Sequence, residues 1–342
     1  VKFLITGGAG FIGSNFIHYL LKSSQFPVLG SQSGERLQIV NLDKLTYAGN
    51  LANLKDIEDD PRYRFIKGDI CDATVVQEAM AGCEVVVNFA AESHVDRSIE
   101  DPTAFLRTDI FGVQVLLEAA RRVGVKRFIQ ISTDEVYGSI MEGAFKETDL
   151  LNPSSPYSAS KAGGELLARA YWTTYGMPVI VTRAANNIGP YQYPEKVVPL
   201  FVTNALEDKA LPLYGDGLQV RDYMHVYDHC RALALLIDKG EPGEIYNIGA
   251  GNELRNVDMT RLILQEVGKP ENLIKHVADR PGHDRRYAVD TSKLRGLGWR
   301  PEYDAEHALR DTIHWYMENR GWWAPIKSGE FRKYYERMYG NR

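Results

Sequence analysis

The segment KFLITGGAGFIGS at residues 2–14 constrains the fold of this chain more than any other feature. A short apolar run of strand character passes into a glycine turn and then into a helical pattern, with Gly7, Gly10 and Gly13 spaced three apart. A dinucleotide pyrophosphate needs such a turn. Gly7 permits the tight bend, Gly10 lets the backbone approach the phosphates, and Gly13 lets the helix pack on the sheet with its N-terminus facing the anion. The spacing departs from G-x-G-x-x-G, and glycines also serve ordinary turns, so the flanking strand and helix carry the ligand reading.

Beyond this turn, apolar runs at 2–6, 38–42, 64–67, 85–89, 127–132 and 179–182 alternate with amphipathic stretches of helical length. That pattern predicts an α/β fold, a doubly wound parallel sheet of Rossmann type, with ligands at the C-terminal ends of its strands. Residues 23–36, with Pro27, Gly30 and Gly34, read as a surface loop insertion. After Arg183 the texture changes to a Pro-, Gly- and Tyr-rich stretch and irregular short elements, which predicts a second, smaller α+β lobe. The expected division is 1–183 for the nucleotide-binding domain and 184–342 mainly for the substrate lobe, with segments near 226–248 returning to the sheet. A length of 342 residues suffices for two lobes, and 44% hydrophobic with 25% charged residues is ordinary for a soluble globular protein.

Composition also narrows the partners. The net charge of −5 is spread among interleaved signs, so no basic surface is expected to hold a nucleic acid. No apolar run reaches the roughly 18 to 20 residues that span a bilayer, and the first strand starts too early to leave room for a signal peptide. Cys71, Cys83 and Cys230 lack metal or redox spacing and read as small buried apolar residues. A cytoplasmic location without membrane contact is expected, and no metal is required.

Asp43 falls at the end of the second predicted strand, where a carboxylate can accept both ribose hydroxyl hydrogens and repel an added 2′-phosphate, which favours NAD over NADP. Asp69 and Ile70, after the third strand, would border the adenine, and Ala90 and Ala91, after the fourth, leave room for close backbone approach. Tyr157 and Lys161 stand four apart in SPYSASKAGGE, where Pro156 suits a helix start, so the two share one face. A lysine ammonium there would lower the phenol's pKa and make the tyrosine a general base. A surface Tyr/Lys pair is the commoner meaning of that spacing, and the preceding dinucleotide pattern shifts the balance. Thr133, ending the fifth strand, offers a hydroxyl across the cleft to the same substrate oxygen.

Together GGAGFIGS, NLDKLTYAGN, FAAESHVDRSI, STDEVYG, YSASK, NNIGPYQYPEK and RDYMHVYDH resemble the extended short-chain dehydrogenase/reductase family, and more narrowly its nucleotide-sugar 4,6-dehydratases. The similarity runs from Lys2 to about Tyr303. It implies NAD as cofactor, with Phe11, Ile12, Lys44 and Thr46 joining the cofactor contacts. As substrate it implies dTDP-glucose, bound by Ser93, Thr133, Asn186, Lys196, Val197, Arg221, Asn256, His283 and Tyr287. In the family the Asp-Glu pair of STDEVYG divides acid and base roles, which maps onto Asp134 and Glu135. The implied cycle oxidises carbon 4, eliminates water across carbons 5 and 6, and reduces carbon 6. Physical chemistry agrees, because elimination needs one group to take a carbon-bound proton and another to protonate the leaving hydroxyl. A planar guanidinium suits the pyrophosphate, which favours Arg221; the run ADRPGHDRRY reads equally as a solvated loop. Where the family has Ser and Tyr, this chain has Ala185 and Ile188, both expected near the nicotinamide or the sugar.

Three alternatives stay open: a 4-epimerase using Thr133, Tyr157 and Lys161, a dehydratase acting on UDP-glucose, and a non-catalytic NAD-binding scaffold. Helical stretches at 103–122 and 156–175 carry apolar residues on more than one face, which predicts a homodimer.

Overall fold

The computed structural model describes residues 1–23, 37–328 and 330–339. The expected loop at 23–36 lies outside the described residues apart from Ser23. Strands β1 (Lys2–Thr6), β2 (Gln38–Asp43), β3 (Tyr63–Lys67), β4 (Val85–Asn88), β5 (Arg127–Thr133) and β6 (Val179–Ala184) fall within a residue or two of the expected runs. Five further pieces follow β6 in the smaller lobe and the return segment: β7 (Asn186–Ile188), β8 (Leu211–Tyr214), β9 (Val220–His225), β10 (Ile245–Ile248) and β11 (Glu253–Arg255). The last described strand is β12 (Ile274–Val277).

The main sheet has the order β10-β6-β5-β4-β1-β2-β3, every neighbouring pair parallel. Parallel strands buried on both faces read as near-continuous apolar runs, and β5 and β6 are buried along their whole length. Alternate residues of one strand serve different cores. Phe3 and Ile5 join the helices Phe11–Lys22 and Val226–Lys239 through Phe16, Leu20, Leu233 and Leu236, while Leu4 joins Val86, Leu116, Leu117 and Phe128 on the other face. Burying each such side chain stabilises the fold by about 1.5–3 kcal/mol, and truncating Leu116 to alanine should cost roughly 2–5 kcal/mol.

The order reverses between β1 and β4, so loops diverge there and leave a crevice at the strand ends. The sequence places the glycine turn and the loop after β4 at that crevice. The helix Pro156–Tyr175 begins where the chemistry needs it, because Ser155 and Ser158 cap each other's backbone amides at 3.1 Å and Pro156 occupies the first turn.

β7 continues almost directly from β6, so the smaller lobe hangs from the C-terminal end of a main-sheet strand. Its sheet β11-β9-β7 and the parallel pair β12-β8 enclose a separate core of Phe201, Tyr223, Met259, Ile263, Leu309, Tyr316 and Trp323. Ile188 belongs to this core and is 1% exposed. The expectation that it borders the nicotinamide or sugar is therefore corrected: as part of β7 it packs inward, away from the cleft. Among the described residues no helix is long and apolar enough to cross a membrane.

Candidate active site

One cleft runs along the strand ends from β2 to β6. At the glycine turn, Gly7 has φ +67° and a Cβ there would lie 2.7 Å from the Ala90 nitrogen, so only glycine allows the turn to meet the loop after β4. A Cβ on Gly13 would strike the Gly7 carbonyl oxygen at 2.5 Å, whereas one on Gly10 meets nothing closer than 3.2 Å. Gly13 thus serves close packing of the turn, and Gly10 leaves the helix N-terminus open toward the cleft. Phe11, Ile12, Asp43, Lys44, Thr46, Asp69, Ile70, Ala90, Ala91 and Ser93 line the same cleft.

Asp43 is already engaged: Oδ2 accepts from the Ala9 amide at 2.9 Å and Oδ1 from the Leu45 amide at 2.7 Å. Burial pushes its carboxyl up while those two amides pull it down, leaving it above the ordinary range. Each oxygen keeps a second lone pair, enough for a ribose diol. Lys44 pairs with Asp69 at 2.8 Å. Burial opposes the shift at Asp69, yet the Lys44 and Cys71 hydrogen bonds hold its carboxyl below the ordinary range.

At the other end of the cleft β5 delivers Thr133, Asp134 and Glu135 in succession. The Thr133 hydroxyl lies 3.2 Å from Asp134 Oδ1 and accepts from the Glu135 amide at 3.3 Å. Asp134 is 3% exposed, and burial, followed by the Glu135 charge, pushes its carboxyl up to about 8 against the opposing charge of Arg221. It is therefore a carboxylic acid at neutral pH. Adjacent Glu135 is half-buried, with Oε2 3.5 Å from the Tyr287 hydroxyl. Behind this turn the Tyr137 hydroxyl donates to Asn247 Oδ1 at 2.9 Å and accepts from Arg183, whose guanidinium pairs with buried Glu165 of the Tyr157 helix. Breaking such a pair costs roughly 3–5 kcal/mol, so strand end and helix are held as one unit.

The Thr133 hydroxyl favours ionisation of Tyr157, yet the phenol's pKa stands well above that of a free phenol. Burial is the main cause, followed by Glu135 and Asp109. Lys161 Nζ donates to the Ile131 carbonyl at 2.7 Å, and burial pushes it down against the support of Asp109 and Glu165. The expected lowering of the phenol by Lys161 is not seen in this geometry, because the ammonium is turned to the backbone and two carboxylates act on the tyrosine.

The substrate side is less uniform. Asn186 and Lys196 line the cleft, with Lys196 donating to the Ser93 carbonyl. Val197, Arg221, Asn256, His283 and Tyr287 do not line it. Arg221 stacks on the Tyr287 ring at 4.1 Å and gives hydrogen bonds to the Val220 and Asp284 carbonyls at 2.8 and 2.9 Å. Tyr287 donates to Asp284 at 2.9 Å, Asn256 accepts from Tyr223 at 2.8 Å, and His283 Nδ1 sits 2.6 Å from Asp279. Burial, with Arg280 next, holds His283 down at about 4, so its imidazole is neutral. Lys196, Tyr287 and Arg280 feel the charge of Glu135, and with Arg221 stacked on the Tyr287 ring they make up the basic ring of the substrate lobe.

Sequence reasoning missed Arg280, which lies 3.6 Å from Asp96 and has a buried Nε without a partner; its arginine-rich loop gave the only signal. It also missed Glu92, Asn187, Gln192, Glu195 and His229, which line the cleft, and Asp109, which bonds Ser160 behind it. Among the described residues, Asp134 Oδ2, Ser132 Oγ, Asn186 Oδ1 and His229 Nε2 are buried polar atoms without a hydrogen-bond partner, all on cleft residues. Such atoms mark a surface shaped for a polar ligand.

Sheet order, glycine turn and the Tyr157/Lys161 helix define an extended short-chain dehydrogenase/reductase. Residues 4–312 match the family model described as GDP-mannose 4,6 dehydratase, and the chain belongs to that family. It is 50% identical over 329 residues to a dTDP-glucose 4,6-dehydratase of Streptomyces niveus, covering 96% of each chain. The crystal structure of DesIV, a dTDP-glucose 4,6-dehydratase from Streptomyces venezuelae solved with NAD and TDP, is 50% identical with a TM-score of 0.92, covering 96% of this chain and 100% of that one. A Thermus thermophilus UDP-glucose 4-epimerase solved with NAD shares the fold at 31% identity and a TM-score of 0.84, covering 93% and 100% respectively.

Proposed function

We propose that this chain is an NAD-dependent nucleotide-sugar 4,6-dehydratase that converts dTDP-glucose to dTDP-4-keto-6-deoxyglucose and water. One observation carries the reading beyond the fold: two adjacent carboxyls at the end of β5, one buried and held protonated, the other facing the basic ring of the substrate lobe. An elimination needs both an acid and a base, whereas returning hydride to carbon 4 needs neither.

NAD fits the cleft by the glycine cradle and the open helix N-terminus, held by residues 7–13, Asp43, Lys44, Asp69 and Ala90, and when bound it supplies the hydride acceptor and later the hydride donor. Tyr157 in its phenolate form, which the Thr133 hydroxyl favours, takes the proton of the hydroxyl on carbon 4 as that carbon is oxidised to a ketone. The ketone acidifies carbon 5, whose proton Glu135 removes while Asp134 gives its proton to the hydroxyl leaving carbon 6 as water. Glu135 then returns a proton to carbon 5 as carbon 6 is reduced, and the 4-keto sugar is released with the cofactor restored. Lys196, Arg221 and Arg280 supply positive charge for the diphosphate.

The test is incubation of the purified protein with dTDP-glucose, then alkali, which converts a 4-keto sugar into a near-ultraviolet chromophore and an epimer into none. UDP-glucose run in parallel tests the choice of base. No absorbance with either, but a new 4-epimer by chromatography, would overturn the reading in favour of the epimerase.

A homodimer belongs to the same reading, as does a cytoplasmic location suited to three free cysteines. Leu106, Phe111, Leu166, Trp172 and Tyr175 are exposed large apolar residues on the neighbouring helical segments 103–123 and 156–175, a face suited to a second copy. A monomeric mass at micromolar concentration with full activity would count against it.

A further inference from the structure

Asp109 is a carboxylate that the cycle above does not use, and it is 2% exposed. It lies in Arg107–Gly112, a segment wound as a π-helix. Such turns recur at working sites because the extra residue displaces side chains from the helical register. This one is pressed against the helix of Tyr157 and Lys161. A Cβ on Gly163 would lie 2.7 Å from Ile110 Cδ1, and one on Gly164 only 2.3 Å from the Asp109 carbonyl oxygen. Paired glycines weaken a helix; here they admit the turn.

The approach brings the Asp109 carboxylate to two donors. Oδ2 accepts from Ser160 Oγ at 2.7 Å and Oδ1 from the Glu92 amide at 3.1 Å. Ser160 stands between Tyr157 and Lys161 on the helix, and Glu92 lies on the cofactor-side wall of the cleft. The charged or titratable groups that face Asp109 are Lys161 and Tyr157 from the helix and the Glu92 carboxylate from the loop after β4. Arg107 on its own turn is exposed, and Glu118, Arg121 and Arg122 on the next helix start about two and a half turns further along.

We propose that Asp109 is a positioning residue that sets the protonation of the Tyr157–Lys161 pair from beneath the catalytic helix, anchoring Ser160, supporting the Lys161 ammonium and opposing ionisation of Tyr157. It touches no reacting atom. The inference rests on Tyr157 being the base at carbon 4. Asp109→Asn keeps the size and the capacity to bond Ser160 but removes the negative charge, so the Tyr157 phenol should ionise more readily. Lys161 keeps Glu165 and the Ile131 carbonyl and should stay charged.

Tyrosinate absorbance of NAD-loaded protein, taken as the difference from Tyr157→Phe, gives the Tyr157 midpoint directly. In Asp109→Asn this midpoint should fall by about 0.5–1 pH unit, as expected for removing one nearby like charge. The acid limb of kcat should move the same way by the same amount. A purely structural role predicts instead an equal loss of kcat at every pH with the midpoint unmoved, and that result would overturn the proposal. If the variant fails to fold, the unaltered NAD-loaded enzyme still decides the matter by ¹³Cζ-tyrosine NMR. The Tyr157 resonance, assigned with Tyr157→Phe, should show a small step near pH 6, where burial places the Asp109 titration; a flat response from pH 5 to 7 would overturn it. Neither spectroscopic reading requires turnover, so a negative dTDP-glucose assay with an intact shift would sink the dehydratase reading alone.

Discussion

The two halves of the cleft are built in opposite ways. On the cofactor side the wall is largely backbone and comes in contiguous runs, 7–13, 43–46, 68–70 and 89–93, each at the end of a strand of one sheet. Toward the substrate lobe the groups are long side chains from scattered segments: Lys196 at the cleft wall, held by the Ser93 carbonyl, and behind it Arg221 stacked on Tyr287 and Arg280 paired with Asp96. A backbone cradle depends on the turn that forms it and tolerates no added atom. A ring of side chains depends on the whole lobe and can be retuned one residue at a time. Asp134 and Glu135 stand where the two meet, and they are where the largest effects are expected.

Asp134→Asn cannot protonate the departing hydroxyl, so turnover should fall roughly 10²- to 10⁴-fold, the usual worth of general acid catalysis. Oxidation at carbon 4 should be much less affected. Fluoride at carbon 6 departs with less need of a proton and should restore much of the lost rate in Asp134→Asn, but not in Glu135→Gln, where the base at carbon 5 is missing. Fluoride release and solvent deuterium at carbon 5 measure this; equal rescue of both variants would dissolve the division of labour.

The contrast between backbone and side chains is tested next by Gly13→Ala, a single added methyl aimed at the Gly7 carbonyl. Cofactor affinity, followed by calorimetric titration, should weaken on the order of 100-fold, about 2.7 kcal/mol, with a lower thermal midpoint. Arg221→Lys should be milder, raising KM for the nucleotide sugar about tenfold with kcat little changed, because an ammonium can neither span two carbonyls nor stack flat on Tyr287. If the arginine change proved as severe as the glycine change, the substrate ring would be as inflexible as the cradle.

The smallest effect concerns stability. The folded pKa of Asp134, about 8, exceeds that of the unfolded chain, so folding favours its protonated form. Its contribution is fully present below the ordinary carboxylate range and is lost as pH rises to about 8. Asp134→Asn lacks this loss and should gain a few degrees in thermal midpoint over the unaltered protein at pH 8.5, the gain vanishing near pH 4. A constant difference between the two proteins across that range would mean that Asp134 is ionised in the fold.

Much of the cofactor half was legible because its signals are local. The turn from Gly7 to Gly13 carries its own steric logic, and Pro156 marks the start of the catalytic helix, which the structure completes with the Ser155–Ser158 cap. The substrate ring was legible only as residue types. That Arg221 spends hydrogen bonds on the backbone, that Arg280 faces Glu135, or that Ile188 turns into a core follows from the packing of the smaller lobe. Asp109 left one trace, the Gly163–Gly164 pair, which has no reason to lie within a helix unless another backbone passes close by.

By itself the sequence determined the strand pattern, the glycine cradle and the presence of two carboxyls after Thr133, because propensity, periodicity and turn sterics act between near neighbours. Only the tertiary structure decided which of those carboxyls holds a proton. Asp134 and Glu135 share the same chemistry and adjoin in the chain, yet one is sealed beneath the substrate lobe and the other is half-buried among its cations. Desolvation and through-space charge set a pKa, and both are properties of what the fold brings near rather than of what the chain places next.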